Sequence, residues 1–309
     1  MNNENRYYDY MDNENTNMIR TLKNIYKKNI LQPYKNSNKR IDLHTYTKFS
    51  GGDLLPHELV NLAIEKHIGT LAITDINTID GLKELELDRG IIKDSGINII
   101  KGIELCSKID DQNINILGYG LDIENKYLNK KMIELQDKNI NAMISILDYL
   151  RKEFNISFSY ETIKELINSE YSLSKYDIAK LCVKYKYASS INEALNKYLI
   201  NTNKFIEKLN FEECLEIISK CGGIAVLANP KYLTTDQNKL SEIIEKLIKY
   251  GLKGLEIENF NYSIKDINFY ENIANKYHLL TSGGSGFRML EDENLGCQNI
   301  KSLTITKKL

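Results

Sequence analysis

Over residues 40–121 and again over 211–309, short apolar runs alternate with amphipathic helical patterns. This alternation constrains the fold more than any other feature of the chain. Strands are predicted at 41–44, 70–75, 97–101, 114–118, 224–228, 254–258 and 279–282. A helical pattern that Pro56 opens precedes the second strand, and patterns at 211–221, 237–250 and 264–277 precede the last three. Strand–helix alternation means parallel strands joined by crossovers. A run of seven such strands predicts barrel-like closure rather than an open sheet.

Between 122 and 210 the rhythm breaks. Residues 126–153 carry Leu128, Met132, Leu135, Ile140, Met143, Ile146, Leu147 and Leu150, mostly three or four apart, which predicts one long amphipathic helix. Shorter helices are predicted near 160–168, 175–185 and 190–199. The chain thus divides into a polar N-terminal extension (1–38), an α/β barrel (39–121 and 211–309) and an all-helical insertion (122–210). Within the extension, Met18, Leu22 and Ile25 fall at helical spacing beside a basic face. A docked or frayed surface helix is expected over 16–28, with a phosphate- or RNA-binding arm as the sharper alternative.

Composition narrows the class. Hydrophobic residues make up 42% of 309, enough for a sizeable core. Lys and Arg number 41 against 42 acids, and this balance argues against a strongly basic nucleic-acid coat. No apolar run approaches the ~18 residues of a membrane span, and no secretory h-region is visible, so a cytoplasmic location without membrane partners is expected. Cys106, Cys182, Cys214, Cys221 and Cys297 are scattered with no C-x-x-C spacing, which points to buried free thiols rather than a zinc knuckle or a disulfide framework.

In parallel α/β domains, functional groups gather at the C-terminal strand ends. Those ends here carry Asp42 and His44, then Asp75, Glu104, Asn115, Asn229, Glu256 and Glu258. The last strand runs into Gly283-Gly284-Ser285-Gly286-Phe287-Arg288. One His and several carboxylates therefore share a rim. His44 taken alone reads as a satisfied core histidine, and the glycines taken alone read as a tight turn.

Taken together, the stretches RIDLHTYT, LAITD, KGIEL, NILGYG, GGIAVLANP, GLKGLEIE and TSGGSGF resemble the PHP (polymerase and histidinol phosphatase) family of metal-dependent phosphoesterases. They are most similar to the branch that acts on nucleoside 3′,5′-bisphosphates and short RNA 5′ ends. Motif order, rather than any one motif, carries the likeness. The resemblance implies a distorted (β/α)7 barrel with an all-helical insertion and a site at the C-terminal rim.

It also implies a trinuclear metal cluster, and there the chain departs. Carried over position by position, only His44 and Glu104 survive as metal remnants. The second His of D-L-H-x-H falls on Tyr46, the Asp of S-D-G on Gly51 and the His of T-D-H on Ile76, beside a retained Asp75. The remaining ligand positions hold Asn115, Asn229, Gly286 and Arg288. The Arg and His that grip phosphate from the insertion fall on Lys175 and Asp177. Gly and Ile offer no side-chain donor, Asn is a poor one, and Arg cannot ligate a cation. His57 and His67 are expected on the surface of the first helix and His278 at the far end of the barrel.

No trinuclear cluster is therefore expected. The first reading is a pseudoenzyme, a phosphate- or nucleotide-binding module using Lys175, Arg288 and Ser285, with the Gly283–Ser285 amides as an anion cradle. Arg288 is expected either to ion-pair with Glu104 or Asp75 or to point to solvent. The second reading is a metal-dependent phosphoesterase with a reduced site: one weakly held Mn, Mg or Zn ion on His44 and Glu104, with Asp75 as catalytic base. The third is nucleic-acid binding through 16–28 and the insertion. Near-neutral charge ranks it last, and nucleic acid is not expected as a partner.

Overall fold

The computed structural model of the chain describes residues 40–87, 96–168, 171, 173–234, 236–296, 300 and 303–309. The expected helix at 16–28 and Cys297 lie outside them. Strand β1 (Arg40–Thr45) leads through α1 (Pro56–Glu65) to β2 (Ile68–Ile73), and α2 (Asp80–Leu87) precedes β3 (Asn98–Ile109) and β4 (Gln112–Tyr119). After the insertion come β5 (Leu209–Asn210), α7 (Phe211–Lys220), β6 (Ile224–Ala228), α8 (Gln237–Lys249), β7 (Gly254–Asn259), α9 (Ile264–Lys276) and β8 (Leu280–Gly284).

The sheet runs β1-β2-β3-β4-β6-β7-β8, with β5 paired to β3. Neighbours are parallel except around β4, which is antiparallel to both β3 and β6. The expectation of parallel strands throughout is corrected here. Strand β3 continues past the predicted residue 101 to Ile109 and turns at Asp110, whose φ of 52° is left-handed, straight into β4. A two-residue turn leaves no room for a crossover, so β4 must return antiparallel. The correction matters for the site, because Asn115 near the start of β4 then faces Cys106 and Ala228 at the rim.

The sheet nearly closes between β1 and β8. Thr45 bridges Phe287, the Gly286 N–H donates to the His44 carbonyl (2.8 Å), and the Tyr46 N–H donates to Phe287 (2.9 Å). Gly284 permits this approach: a Cβ there would stand 2.3 Å from the His44 nitrogen. Buried Asp42 fastens the seam, accepting from the Ser285 and Gly296 N–H groups at 2.9 Å each. The barrel interior holds Leu43, Ala72, Leu117, Tyr119 and Val226, and a larger apolar layer lies between the sheet and its helices. Each fully buried Leu- or Ile-sized side chain there contributes about 1.5–3 kcal/mol.

The insertion consists of α3 (Lys126–Phe154), α4 (Tyr160–Ile167), α5 (Lys175–Lys184) and α6 (Ile191–Lys197). Asn125 caps α3, accepting from Tyr127 and Leu128, and left-handed Asn155 ends it. The helices bury a core of their own around Met143, Ile146, Leu150, Ile178 and Cys182. Helix α5 docks on the loop after β1: Lys180 pairs with Asp53 (3.1 Å) and donates to the carbonyls of Gly51 and Gly52.

Candidate functional site

A cleft of about 310 Å³ opens between the barrel rim and the insertion. His44 and Tyr46 form its floor, Tyr176 of α5 its insertion wall, and Asn229, Asn259 and Arg288 its barrel wall. At the floor, every surviving site residue is tied to another. The His44 ring shares one hydrogen bond with Glu256 (Nδ1 to Oε1, 2.7 Å) and one with the Tyr46 hydroxyl (Nε2, 2.7 Å). The Tyr46 hydroxyl donates in turn to Glu104 Oε2 (2.7 Å), and Asn115 donates to Glu104 Oε1 (2.9 Å). The second oxygen of Glu256 accepts from the Asn229 N–H (2.7 Å), and Asn259 donates to the Asn229 side-chain oxygen (3.0 Å).

His44, Glu104 and Glu256 are all fully buried. Burial alone drives an imidazole's pKa down. Here the charges and hydrogen bonds of Glu256 and Glu104 overrule it and carry His44 up to about 10, so the ring is an imidazolium at neutral pH. Burial likewise pushes the Glu104 carboxyl up, but His44, Tyr46 and Asn115 outweigh it and hold Glu104 below its ordinary range. The result is a Glu–His⁺–Tyr–Glu chain running across the rim. His44 is satisfied, as the bland reading held, yet it also lines the cleft.

Asp75 lies behind this floor. Its carboxylate accepts from the Thr47 N–H (2.7 Å) and from the hydroxyls of Thr47 and Ser50 (2.6 Å each). Burial nonetheless raises its pKa. Asp75 is not in the cleft lining, so the structure does not bring it to the place where a base would meet a ligand.

Arg288 does neither of the things expected of it. It is only 6% exposed, and it forms no ion pair with Glu104, Asp75 or any other described carboxylate. One guanidinium N–H donates to the Ser50 carbonyl. Its flat group lies over the Tyr46 ring (3.8 Å to the centroid) and against the Tyr176 ring (4.4 Å). The two aromatic faces supply what a carboxylate would have supplied.

Ser285 lines the cleft, but its hydroxyl accepts from the Phe287 N–H (3.0 Å). Of the expected Gly283–Ser285 amide cradle, Gly283 and Gly284 lie in β8, paired to β7, and the Ser285 N–H donates to Asp42. Lys175 is absent from the lining. Its ammonium donates to Asn203 (2.6 Å), and partial burial, with Lys208 nearby, lowers its pKa. Asp177 closes a capping box with Ser174 at the start of α5 (2.9 Å), a structural duty. His57 is half-buried, and His67 and His278 are exposed; none reaches the cleft. Of the cysteines, Cys182, Cys214 and Cys221 are buried free thiols and Cys106 is half-buried.

Sequence reasoning missed Glu256 as a partner of His44, along with Tyr46 and Tyr176 as the faces that hold Arg288. Alternation along β7 could not have singled out Glu256, because Glu258 two residues on shares its face in a regular strand; the irregular pairing between them separates buried Glu256 from half-buried Glu258. Nothing local announces Tyr176, because its meeting with Arg288 is a tertiary event.

The donor set does not fit a divalent cluster. Among the described residues, no group of three or more His, Cys, Asp or Glu is gathered to hold a metal ion. Both His44 nitrogens and both Glu104 oxygens are already bonded within the protein. Gly51 has a φ of 86°, and a Cβ there would stand 2.1 Å from the Ser174 hydroxyl. The N-terminus of α5 thus occupies the volume that a ligand at 51 would need.

No family profile matches the chain. It is 26% identical over 251 residues to the 5′-3′ exoribonuclease Rnm of Escherichia coli strain K12, spanning 80% of this chain and 84% of that one. It is 22% identical over 250 residues to the 3′,5′-nucleoside bisphosphate phosphatase of Chromobacterium violaceum, spanning 80% and 86%. Two solved structures share the fold. An amidohydrolase from Chromobacterium violaceum, with bound sulfate and no metal, superposes with a TM-score of 0.73 at 21% identity over 83% of this chain and 90% of that one. A metal-dependent phosphoesterase from Bifidobacterium adolescentis gives 0.69 at 20% identity over 83% and 89%. No helix among the described residues is long and apolar enough to cross a membrane.

Proposed function

We propose that the chain is a member of the PHP family, in the branch of the exoribonucleases and nucleoside bisphosphate phosphatases, and that it binds a phosphate-bearing ligand without a catalytic metal cluster. One observation carries the proposal: both ring nitrogens of His44 are taken, one by Glu256 and one by the Tyr46–Glu104 pair, where the family needs a neutral imidazole and a free carboxylate. A metal needs deprotonated ligands, and a His held as imidazolium up to about pH 10 resists exchange of its proton for a cation. Without a cluster, neither an activated water nor a Lewis acid for a phosphoryl oxygen is supplied. The chain's own residues bind and orient a ligand; Asp75, the base expected of a reduced site, does not line the cleft.

A second reading, a metal-dependent phosphoesterase with a reduced site, is favoured by the relatives, whose names describe hydrolysis of RNA and of nucleoside bisphosphates. The exoribonuclease relatives also run against the expectation that nucleic acid is no partner. Elemental analysis after Mn²⁺ or Zn²⁺ loading and desalting separates the readings. The binding module is expected to retain well below one equivalent, unchanged by His44→Ala. Stoichiometric metal that His44→Ala abolishes would establish the reduced-site enzyme instead.

A further inference from the structure

Arg288 is a buried cation in no direct ion pair with a described carboxylate, although buried Asp75 feels its charge. Its guanidinium is held rigidly: two aromatic faces, one carbonyl, and a backbone fixed by the Asp53 N–H donating to the Arg288 carbonyl (3.0 Å). The remaining N–H groups have no partner among the described residues, and Arg288 lines the cleft. Burying an unpaired charge costs several kcal/mol unless something answers it. A planar guanidinium with its fork free is shaped for a bidentate oxyanion. Around it stand further donors without protein partners, the Tyr176 hydroxyl and the Asn229 side-chain amide.

We propose that Arg288, with Tyr176 and Asn229, is a fixed seat for the single phosphoryl group of a small phosphomonoester, so that binding here needs no metal. The proposal rests on the reading of the cleft as a phosphate-binding module and names its anchor. The cleft mouth completes the assignment. Tyr232 and Phe260 are 63% and 50% exposed there, offering apolar faces to the organic part of the ligand. Glu291 and Asp292 also stand exposed at the mouth, so a second or third phosphate reaching out of the cleft meets repulsion. One phosphoryl group at the bottom and a neutral body at the mouth is the ligand this charge pattern accepts.

The test is calorimetric titration of the full chain in EDTA, with inorganic phosphate, adenosine 5′-monophosphate, adenosine 5′-triphosphate and a 5′-phosphorylated oligonucleotide as probes. Phosphate and the monophosphate are expected to bind, the monophosphate more tightly and the triphosphate more weakly than the monophosphate. Arg288→Gln is expected to weaken the monophosphate at least tenfold, Arg288→Lys less, and Lys175→Ala within twofold of wild type. Should Arg288→Gln fail to fold, Arg288→Lys and Tyr176→Phe carry the comparison, each expected to weaken binding. Unchanged binding in the Arg288 variants, loss on Lys175→Ala alone, or no binding in EDTA overturns the seat. Tenfold tighter binding of the triphosphate or the oligonucleotide overturns the small-monoester assignment. Stoichiometric metal in the loading experiment would end the metal-free reading, yet an Arg288-dependent titration in EDTA would leave this seat standing.

Discussion

The imidazolium of His44 makes the stability of this fold depend on pH in a way that one substitution can isolate. The ring's pKa rises from an ordinary 6.5 to about 10 in the folded chain. At roughly 1.4 kcal/mol per unit, that difference corresponds to about 5 kcal/mol of stability. Because the folded pKa is the higher one, the contribution is fully present below the unfolded value and is lost as pH rises through the folded value. Between the two, the native state holds one more proton than the unfolded chain, so stability falls by about 1.4 kcal/mol per pH unit. Over a span from about pH 7.5 to about 9.5 the loss from this group alone is about 2–3 kcal/mol. The assay is urea unfolding of wild type and His44→Gln across that span. Groups remote from His44 titrate in both proteins alike, so the difference between the two slopes reports His44 together with its carboxylate partners Glu104 and Glu256. The variant is expected to be less stable at the lower pH and to lose less as pH rises. Parallel slopes would refute the reasoning, because they would mean that His44 is neutral and that the Glu–His–Tyr–Glu chain carries no extra proton.

Tyr46→Phe removes the hydroxyl that joins His44 to Glu104 and leaves a buried nitrogen and a buried carboxylate oxygen short of a partner. A loss of about 1–3 kcal/mol is expected, read as a lower urea midpoint with an unchanged slope. Gly51→Ala forces a left-handed residue and a methyl group against Ser174. A loss of at least about 1 kcal/mol is expected, and a double-mutant cycle with Ser174→Ala should return a coupling above about 0.5 kcal/mol; additive losses would deny the contact.

Much of the architecture was legible because it is local. Helical periodicity placed α3 through α9 within a few residues, since an amphipathic stripe is visible in any window of a few turns. The strand rhythm and motif order led to the barrel class, which the superposed structures share. The direction of β4 was not legible, because an apolar run reads alike in either direction, and only the tight turn at Asp110 reverses it.

At the site the division is sharper. The departures at 46, 51, 76, 115, 229, 286 and 288 are written in the sequence, and residue chemistry alone argues that the ligand set of the family it resembles is not present. What took its place is not written there. His44 meets Glu256 across 212 positions of chain, and Arg288 donates to Ser50 across 238. An ion pair between Arg288 and Glu104 or Asp75 was as reasonable from charge as the stack between Tyr46 and Tyr176 that the fold adopts. Sequence determines which side chains are available and which chemistry they cannot perform. Tertiary structure decides which of them share a proton and which cation is left facing a cleft, because those energies depend on distance and burial, and closure of the barrel sets both.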